Sequence, residues 1–266
     1  MPAVSLVSGK VLVTGASGGI GQAIARAFAA RGASPILTGR RVEVLEPLAE
    51  ELGGRALACD LADREDVDRL LGEVGEVDVL VANAGVPASS VFTELGQDEI
   101  DRMLEVNLRA PIALARALAP AMVARRGGHL VFISSLSGKV ASPASAIYSA
   151  TKFGLRGFAL GIREDLRAHG VGVSVVLPGF IRDAGLFADA GVELPRGVGT
   201  RSPEDVAAAV LRAIERNRAE VEVAPVGLRL GASFGGLAPQ LAAAMSRRMG
   251  GERVASELAA GQRDKR

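Results

Sequence analysis

The sequence predicts an α/β domain: a doubly wound parallel sheet of about seven strands, helices on both faces, and a helical extension at the C-terminus. Three observations predict it. Short, nearly continuous apolar runs alternate along the chain with longer amphipathic stretches. Continuous apolar runs mark strands covered on both faces, which is the condition of a parallel sheet. A glycine-rich turn follows the first run and opens the first amphipathic stretch, a join typical of open α/β sheets. The 266 residues suffice for one large domain, and no repeat, linker or charge run divides them.

Strands are expected at residues 10–14, 34–38, 56–59, 77–81, 129–133, 171–177 and 220–223. Helices fill the intervals. The first, 19–31, starts at the glycine turn. Residues 42–52 and 64–74 read as amphipathic helices. Residues 97–125 contain Pro111 and Pro120, each removing a helical hydrogen bond, so a bend or a division is expected there. Residues 146–169 form a long helix. The helix at 203–217 has Ser202 as its cap and Pro203 at its first position. Two regions stand outside the alternation. Residues 182–201 are glycine-rich yet hold Leu186, Phe187, Val192 and Leu194, the composition of a lid. Within the extension at 226–266, Leu237, Leu241, Met245 and Met249 recur every four residues as an apolar stripe, followed by Gly250-Gly251 and a basic tail.

Composition excludes several classes of function. Hydrophobic residues make up 48% and charged residues 23%, as in a globular chain. A net charge of +1 gives no electrostatic footprint for nucleic acid, and 3% aromatics with no Trp gives little for base stacking. The single cysteine, Cys59, allows neither an intrachain disulfide nor an all-cysteine metal site. Its neighbours Ala56-Leu57-Ala58 make it a buried strand thiol, and no metal site is expected. The first apolar run, Val11-Leu12-Val13, is too short for a secretory signal. The longest charge-free stretch, 230–246, is broken by glycines and Pro239, so no transmembrane segment is expected. A cytoplasmic location follows as the expectation.

Chemistry concentrates in four places. Tyr148-Ser-Ala-Thr-Lys152 sets a lysine one helical turn after a tyrosine, on the same face. The free phenol has a pKa near ~10. A neighbouring ammonium favours tyrosinate, which would make the phenol a usable acid or base. Ser135 closes an apolar run thirteen positions earlier. Thr14-Gly15-Ala-Ser17-Gly18-Gly19-Ile20-Gly21 joins a strand to a helix, where glycines let the backbone approach a pyrophosphate; taken alone it is also an ordinary strand-to-helix turn. At the end of the second strand, Gly39 offers no carboxylate for ribose hydroxyls, while Arg40 and Arg41 suit a 2′-phosphate. His129 and His169 lack a nucleophile to serve and are assigned to structure.

These motifs resemble those of the short-chain dehydrogenase/reductase family in its single-domain form. The likeness is carried by Thr14–Gly21, Asp60-Leu61, Asn83-Ala84-Gly85, Asn107, Ser135, Tyr148, Lys152 and Pro178-Gly179, in the family's order across residues 10–180. The resemblance implies a Rossmann fold and a nicotinamide dinucleotide. It implies that Tyr148 exchanges a proton with the substrate oxygen and that Lys152 tunes Tyr148 and holds the nicotinamide ribose. Ser135 would hold the substrate oxygen, and Asn107 would interrupt its helix and hold a water of the proton relay. Asp60 and Leu61 would meet the adenine. Asn83, Ala84 and Gly85 would line the cofactor trough, and Pro178, Gly179 and Ile181 would border the nicotinamide.

Two departures narrow the expectation. Where the family often has a threonine after the Pro-Gly, this chain reads Phe180-Ile181-Arg182-Asp183. Where tetrameric relatives carry a Val-Asp-Gly-Gly segment, it reads Val223-Ala-Pro225 and then a helix. The leading expectation is an NADP-dependent oxidoreductase, preferring NADPH to NADH, that interconverts a lipophilic ketone or aldehyde and its alcohol as a homodimer or homotetramer. The competing readings are a 3-oxoacyl thioester reductase and a catalytically silent dinucleotide sensor. A methyltransferase on the same fold leaves Tyr148 and Lys152 unexplained.

Overall fold

β1 (Lys10–Thr14) is buried at every residue but its first lysine, and the remaining strands assemble outward from it. The computed structural model describes residues 9–86, 90–184 and 198–248. β2 (Ser34–Gly39), β3 (Arg55–Ala58), β4 (Val79–Ala82), β5 (His129–Ile133), β6 (Gly172–Pro178) and β7 (Glu220–Val223) complete the sheet. The order is β3-β2-β1-β4-β5-β6-β7, and each neighbouring pair is parallel. The chain runs outward from β1 to β3, then crosses back to β4 and proceeds the other way. The order therefore reverses between β1 and β4, and a crevice opens at their carboxyl ends.

Two apolar layers cover the sheet. On one face α1 (Gly19–Ala29), α2 (Val42–Glu51) and α7 (Pro203–Glu215) bury Ile24, Phe28, Leu45, Leu48, Val206 and Val210 against Val11, Val13 and Val81. On the other, α3 (Arg64–Val74), α5 (Ala110–Ala124) and α6 (Ala146–Arg167) bury Leu70, Leu114, Met122 and Leu155 against Leu12, Leu80 and Phe132. Val and Leu thus alternate to opposite faces along β1, and both faces are dry. α7 starts as expected: the Ser202 hydroxyl accepts from the Asp205 N–H, and the Asp205 carboxylate accepts from the Ser202 N–H.

The expected elements are all present with small shifts. β3 ends one residue early, so Cys59 lies just past the strand, with its N–H on the Gly39 carbonyl at 3.0 Å. It is buried there, and burial pushes its thiol up to about 12. β4 begins at Val79, and the Asp78 carboxylate just before it accepts from the Lys10 N–H at 2.8 Å. The expected division of the long helix falls at a π-turn just before Pro111, while Pro120 leaves α5 unbroken. α4 (Gln97–Leu104) passes into a π-turn, Glu105–Arg109, and then into α5, with Pro111 in the first turn of α5 and Pro120 inside it. Two helices, α8 (Val226–Leu237) and α9 (Pro239–Arg248), follow β7. Among the described residues no helix is long and apolar enough to cross a membrane. The lid residues Leu186, Phe187, Val192 and Leu194, and Met249 of the expected stripe, lie outside the described residues.

Candidate active site

The crevice between β1 and β4 is built by glycines that a side chain would block. Gly15 has φ +63°, and a Cβ there would come within 2.7 Å of the Ala84 Cα. A Cβ on Gly21 would come within 2.3 Å of the Gly15 oxygen. The first turn of α1 is thus pressed onto the end of β1, and that end onto the loop after β4. Thr14 ties the pieces together. Its hydroxyl accepts from the N–H groups of Asn83 and Ala84, both at 3.0 Å. The Asn83 amide donates to the carbonyls of Thr14 at 3.0 Å and Gly15 at 3.3 Å.

α1 begins without a partner of its own. Gly18 is its N-cap, no side chain caps it, and its first turn has no acid. The opening N–H groups and the positive end of the helix dipole are therefore available to an anion. A helix start of this kind suits an anion such as a dinucleotide's pyrophosphate. Arg41 crosses the turn and donates to the Ser17 carbonyl at 2.6 Å. Arg40 is exposed, and its side chain has no partner among the described residues. Both guanidiniums stand at the end of β2, where Gly39 packs on Ser17. Further along, Leu61 is buried. The Asp60 carboxylate accepts from the Ala62 N–H at 3.0 Å and lies 3.3 Å from Arg102.

The second cluster forms where β5 meets α6. Ser135 follows the strand and accepts from the Ser137 N–H at 3.1 Å, and its side chain acts on the Tyr148 phenol, favouring the charged form. The turn sits directly on α6. A Cβ on Gly138 would come within 2.7 Å of both the Lys152 carbonyl and the Ser134 hydroxyl, and that hydroxyl donates to the same carbonyl at 2.9 Å. The Lys152 ammonium is buried 5.6 Å from the centre of the Tyr148 ring and donates to the Ile133 carbonyl at 3.0 Å. The phenol moves opposite to the expected lowering: burial pushes Tyr148 up to about 12, against a smaller lowering effect of Ser135. Burial also pushes the Lys152 ammonium down to about 8.

Asn107 sits in the π-turn, fully buried. Its side-chain oxygen accepts from the Val86 N–H at 2.8 Å, and its amide donates to the Val86 carbonyl at 3.0 Å and to the Thr151 hydroxyl at 3.4 Å. Thr151 in turn donates to the Tyr148 carbonyl at 2.7 Å. One side chain therefore joins the Asn83–Val86 loop to the helix that carries Tyr148 and Lys152. Pro111, four residues on, has no N–H with which to occupy the Asn107 carbonyl.

The third edge comes from β6. Pro178 ends the strand, and the Gly179 N–H bonds the Val223 carbonyl at 3.0 Å. A Cβ on Gly179 would come within 3.0 Å of Ala224 and 3.3 Å of Leu136. Ile181 is buried and bridges Arg201. Ala184 then lies against the glycine turn, 2.3 Å from where a Gly19 Cβ would be. Motif reading missed the structural roles of Thr14, Ser134 and Thr151. Their signal was a hydroxyl at a strand end or beside Lys152, where burial demands a partner. His129 is buried neutral, with its pKa lowered to about 3 by burial and its ring on the Ser174 hydroxyl at 2.8 Å, a structural role. Among the described residues no cluster could hold a metal ion.

Comparison with known proteins agrees with this geometry. The family model described as short chain dehydrogenase matches residues 9–191. The chain is 41% identical over 186 residues to nodulation protein G of Rhizobium sp. (strain N33), covering 67% of this chain and 76% of that one. It is 35% identical over 230 residues to the ketoacyl reductase HetN of Nostoc sp. (strain PCC 7120), covering 83% and 80%. A solved short-chain dehydrogenase from Sphingobium yanoikuyae, in complex with NADPH, superposes with a TM-score of 0.76 at 30% identity, covering 88% of this chain and 95% of that one. A match that runs from β1 past β6, with relatives aligned along two thirds or more of the sequence, makes this chain a member of the short-chain dehydrogenase/reductase family, an oxidoreductase that binds a dinucleotide.

Proposed function

We propose that the protein is an NADP-dependent oxidoreductase that interconverts a lipophilic ketone or aldehyde and the corresponding alcohol. The observation that carries the reading is the buried Lys152 ammonium 5.6 Å from the centre of the Tyr148 ring, with Ser135 acting on the same phenol. Bound nicotinamide supplies the site that gives or accepts hydride. The chain's own residues do the rest. Ser135 and Tyr148 hold the carbonyl oxygen between two hydroxyls. Tyr148 delivers its proton to that oxygen during reduction and takes it back during oxidation. A phenol pushed up to about 12 is protonated at neutral pH, the form that can donate to a carbonyl oxygen. Lys152, charged in about equal parts with neutral near pH 8, restores the proton. The Asn107 carbonyl, which Pro111 has no N–H to occupy, is the acceptor we assign to a relay water.

Arg40 and Arg41 support the NADP preference, because two guanidiniums and no carboxylate stand at the end of β2. The NADPH complex of the Sphingobium relative agrees with it. Asp60 and Leu61 frame the adenine, and Pro178, Gly179 and Ile181 the nicotinamide. Exposed Leu104 on α4 and Phe153 on α6 support assembly with a second copy. Similarity to a ketoacyl reductase keeps 3-oxoacyl thioesters as the second substrate class. The test is oxidation of NADPH and of NADH with a series of ketones, aldehydes and acyl thioesters of increasing chain length. Rising kcat/KM with chain length on free ketones, with NADPH preferred, is the expected result. No turnover of any of them, with the dinucleotide still bound, would replace the enzyme by a sensor.

A further inference from the structure

Nine large hydrophobic side chains are exposed among the described residues, and five of them fall between residues 226 and 241. Val226 is 64% exposed, Leu230 66%, Phe234 41%, Leu237 87% and Leu241 63%. The first four recur at intervals of four, four and three residues, so they share one side of α8. The opposite side is the packed one. Leu228 reaches toward Gly179, Ala232 and Gly235 are buried, and Gly236 lies against the Lys139 carbonyl. α8 is therefore amphipathic in reverse of what a monomer needs. It buries small residues and presents large ones.

We propose that this outer side of α8, continued by Leu241 at the start of α9, is a docking surface for an anionic lipid bilayer. Charge supports lipid over a protein surface. From Pro225 to Gly251 the sequence has no Asp or Glu, while Arg229, Arg247 and Arg248 fall in the same stretch. Beyond it come Arg253, Arg263, Lys265 and Arg266 against Glu252, Glu257 and Asp264. Arg229 pairs with Glu222 of β7 at 2.9 Å, and an apolar ridge whose own segment carries basic and no acidic residues is the composition of a helix that lies in a headgroup layer. The shape agrees. The ridge is one helix wide, and its five side chains present on the order of 500 Å² of apolar surface, below the ~800 Å² per partner of a standard dimer interface. Neither helix is long enough to cross the bilayer, so α8 lies on it. Because the inner side of α8 borders Gly179 and the loop after Ser135, docking brings the rim of the active-site crevice to the lipid. The lipid contact does not depend on the reaction proposed above.

The test is flotation of the full chain with vesicles of phosphatidylcholine alone and of phosphatidylcholine with phosphatidylglycerol. The parent is expected to float with the anionic vesicles and to be released by high salt. Leu230→Glu/Leu237→Glu, folded by circular dichroism and unfolding midpoint, is expected to lose binding by roughly tenfold or more. Four results would overturn the proposal. One is no flotation of the parent with either vesicle. Another is equal flotation of parent and variant. The third is a parent that self-associates in light scattering and becomes monomeric in the variant, which would assign the ridge to a second copy. A chain ending at Arg248 that floats when the full chain does not would assign it to residues 249–266 and likewise overturn it.

Discussion

Replacing Asn107 by alanine removes one side chain and three hydrogen bonds, and its cost can be worked from the geometry. The bonds to the Val86 N–H at 2.8 Å and the Val86 carbonyl at 3.0 Å are of full strength, and that to Thr151 at 3.4 Å is long. A buried backbone group left without a partner costs about 1–3 kcal/mol. Asn107 is fully buried, but Val86 is only half-buried, so water can reach part of what is lost. The expected destabilisation is ~2–4 kcal/mol, which for a chain of this size lowers Tm by roughly 5–15 °C. Function should fall further than stability. A Cβ on Gly85 would lie 3.4 Å from the Asn107 oxygen and 3.5 Å from the Lys152 ammonium, so the loop that Asn107 holds is also the floor beneath Lys152. Loosening it by about an ångström is expected to cost up to ~100-fold in kcat/KM. Asn107→Asp keeps an acceptor for the Val86 N–H but turns a second oxygen on the Val86 carbonyl, so it should be no more stable than alanine at neutral pH. Urea unfolding and NADPH-dependent turnover of both variants decide the matter. An alanine variant within about 1 kcal/mol of the parent, or a fully stable aspartate variant, would refute this account of the π-turn.

Tyr148→Phe should abolish turnover and leave NADPH binding nearly intact, because only the phenol oxygen is removed; residual turnover within about tenfold of the parent would remove Tyr148 from the proton path. Arg40→Ala should weaken NADPH by roughly ten- to two-hundredfold while sparing NADH. Arg41→Ala should weaken it less, since that guanidinium already serves Ser17; titration of both cofactors checks the pair. Lys152 has a folded pKa of about 8 against 10.5 in the unfolded chain, so the unfolded chain binds more protons between those values. The resulting penalty is fully present below pH 8, about 3 kcal/mol, and fades as pH rises toward 10.5. Lys152→Met should therefore be the more stable protein at pH 7, offset by the unpaired Ile133 carbonyl, and should lose that advantage near pH 10. A stability difference that does not change with pH would contradict the burial of a neutral lysine.

The strands were legible because both faces of the sheet are dry. Runs such as Val11-Leu12-Val13 and His129–Ile133 then carry no polar interruption, and their bounds can be read directly. The helix containing Asn107 was legible in extent but not in form. Pro111 marks a disturbance, yet a π-turn depends on which carbonyls lose their donors, and hydropathy does not record that. Motif order identified Ser135, Tyr148 and Lys152 as partners but gave the sign of their coupling only in part. A charge effect between neighbours is visible in a sequence, whereas desolvation depends on how α6 seats against β5. In the sequence Thr14 is one residue of a turn, whereas its hydroxyl fastens the end of β1 to the loop after β4.

The last strand holds a feature with a consequence for engineering. Lys139, from the loop after Ser135, pairs with both Glu220 at 3.0 Å and Glu222 at 2.6 Å. Arg156 of α6 pairs with Glu220 at 2.7 Å, and Arg229 of α8 pairs with Glu222 at 2.9 Å. Two carboxylates on an edge strand are therefore shared among three segments far apart in sequence. A chimera that takes everything after β6 from a relative would bring a foreign β7 beneath a native Lys139 and Arg156, and leave partly buried cations without their counter-charges. The natural seam for exchange lies instead after Ala224, provided the incoming helix supplies a cation where Arg229 stands. Recombination within this family should tolerate new C-terminal helices far more readily than a new seventh strand.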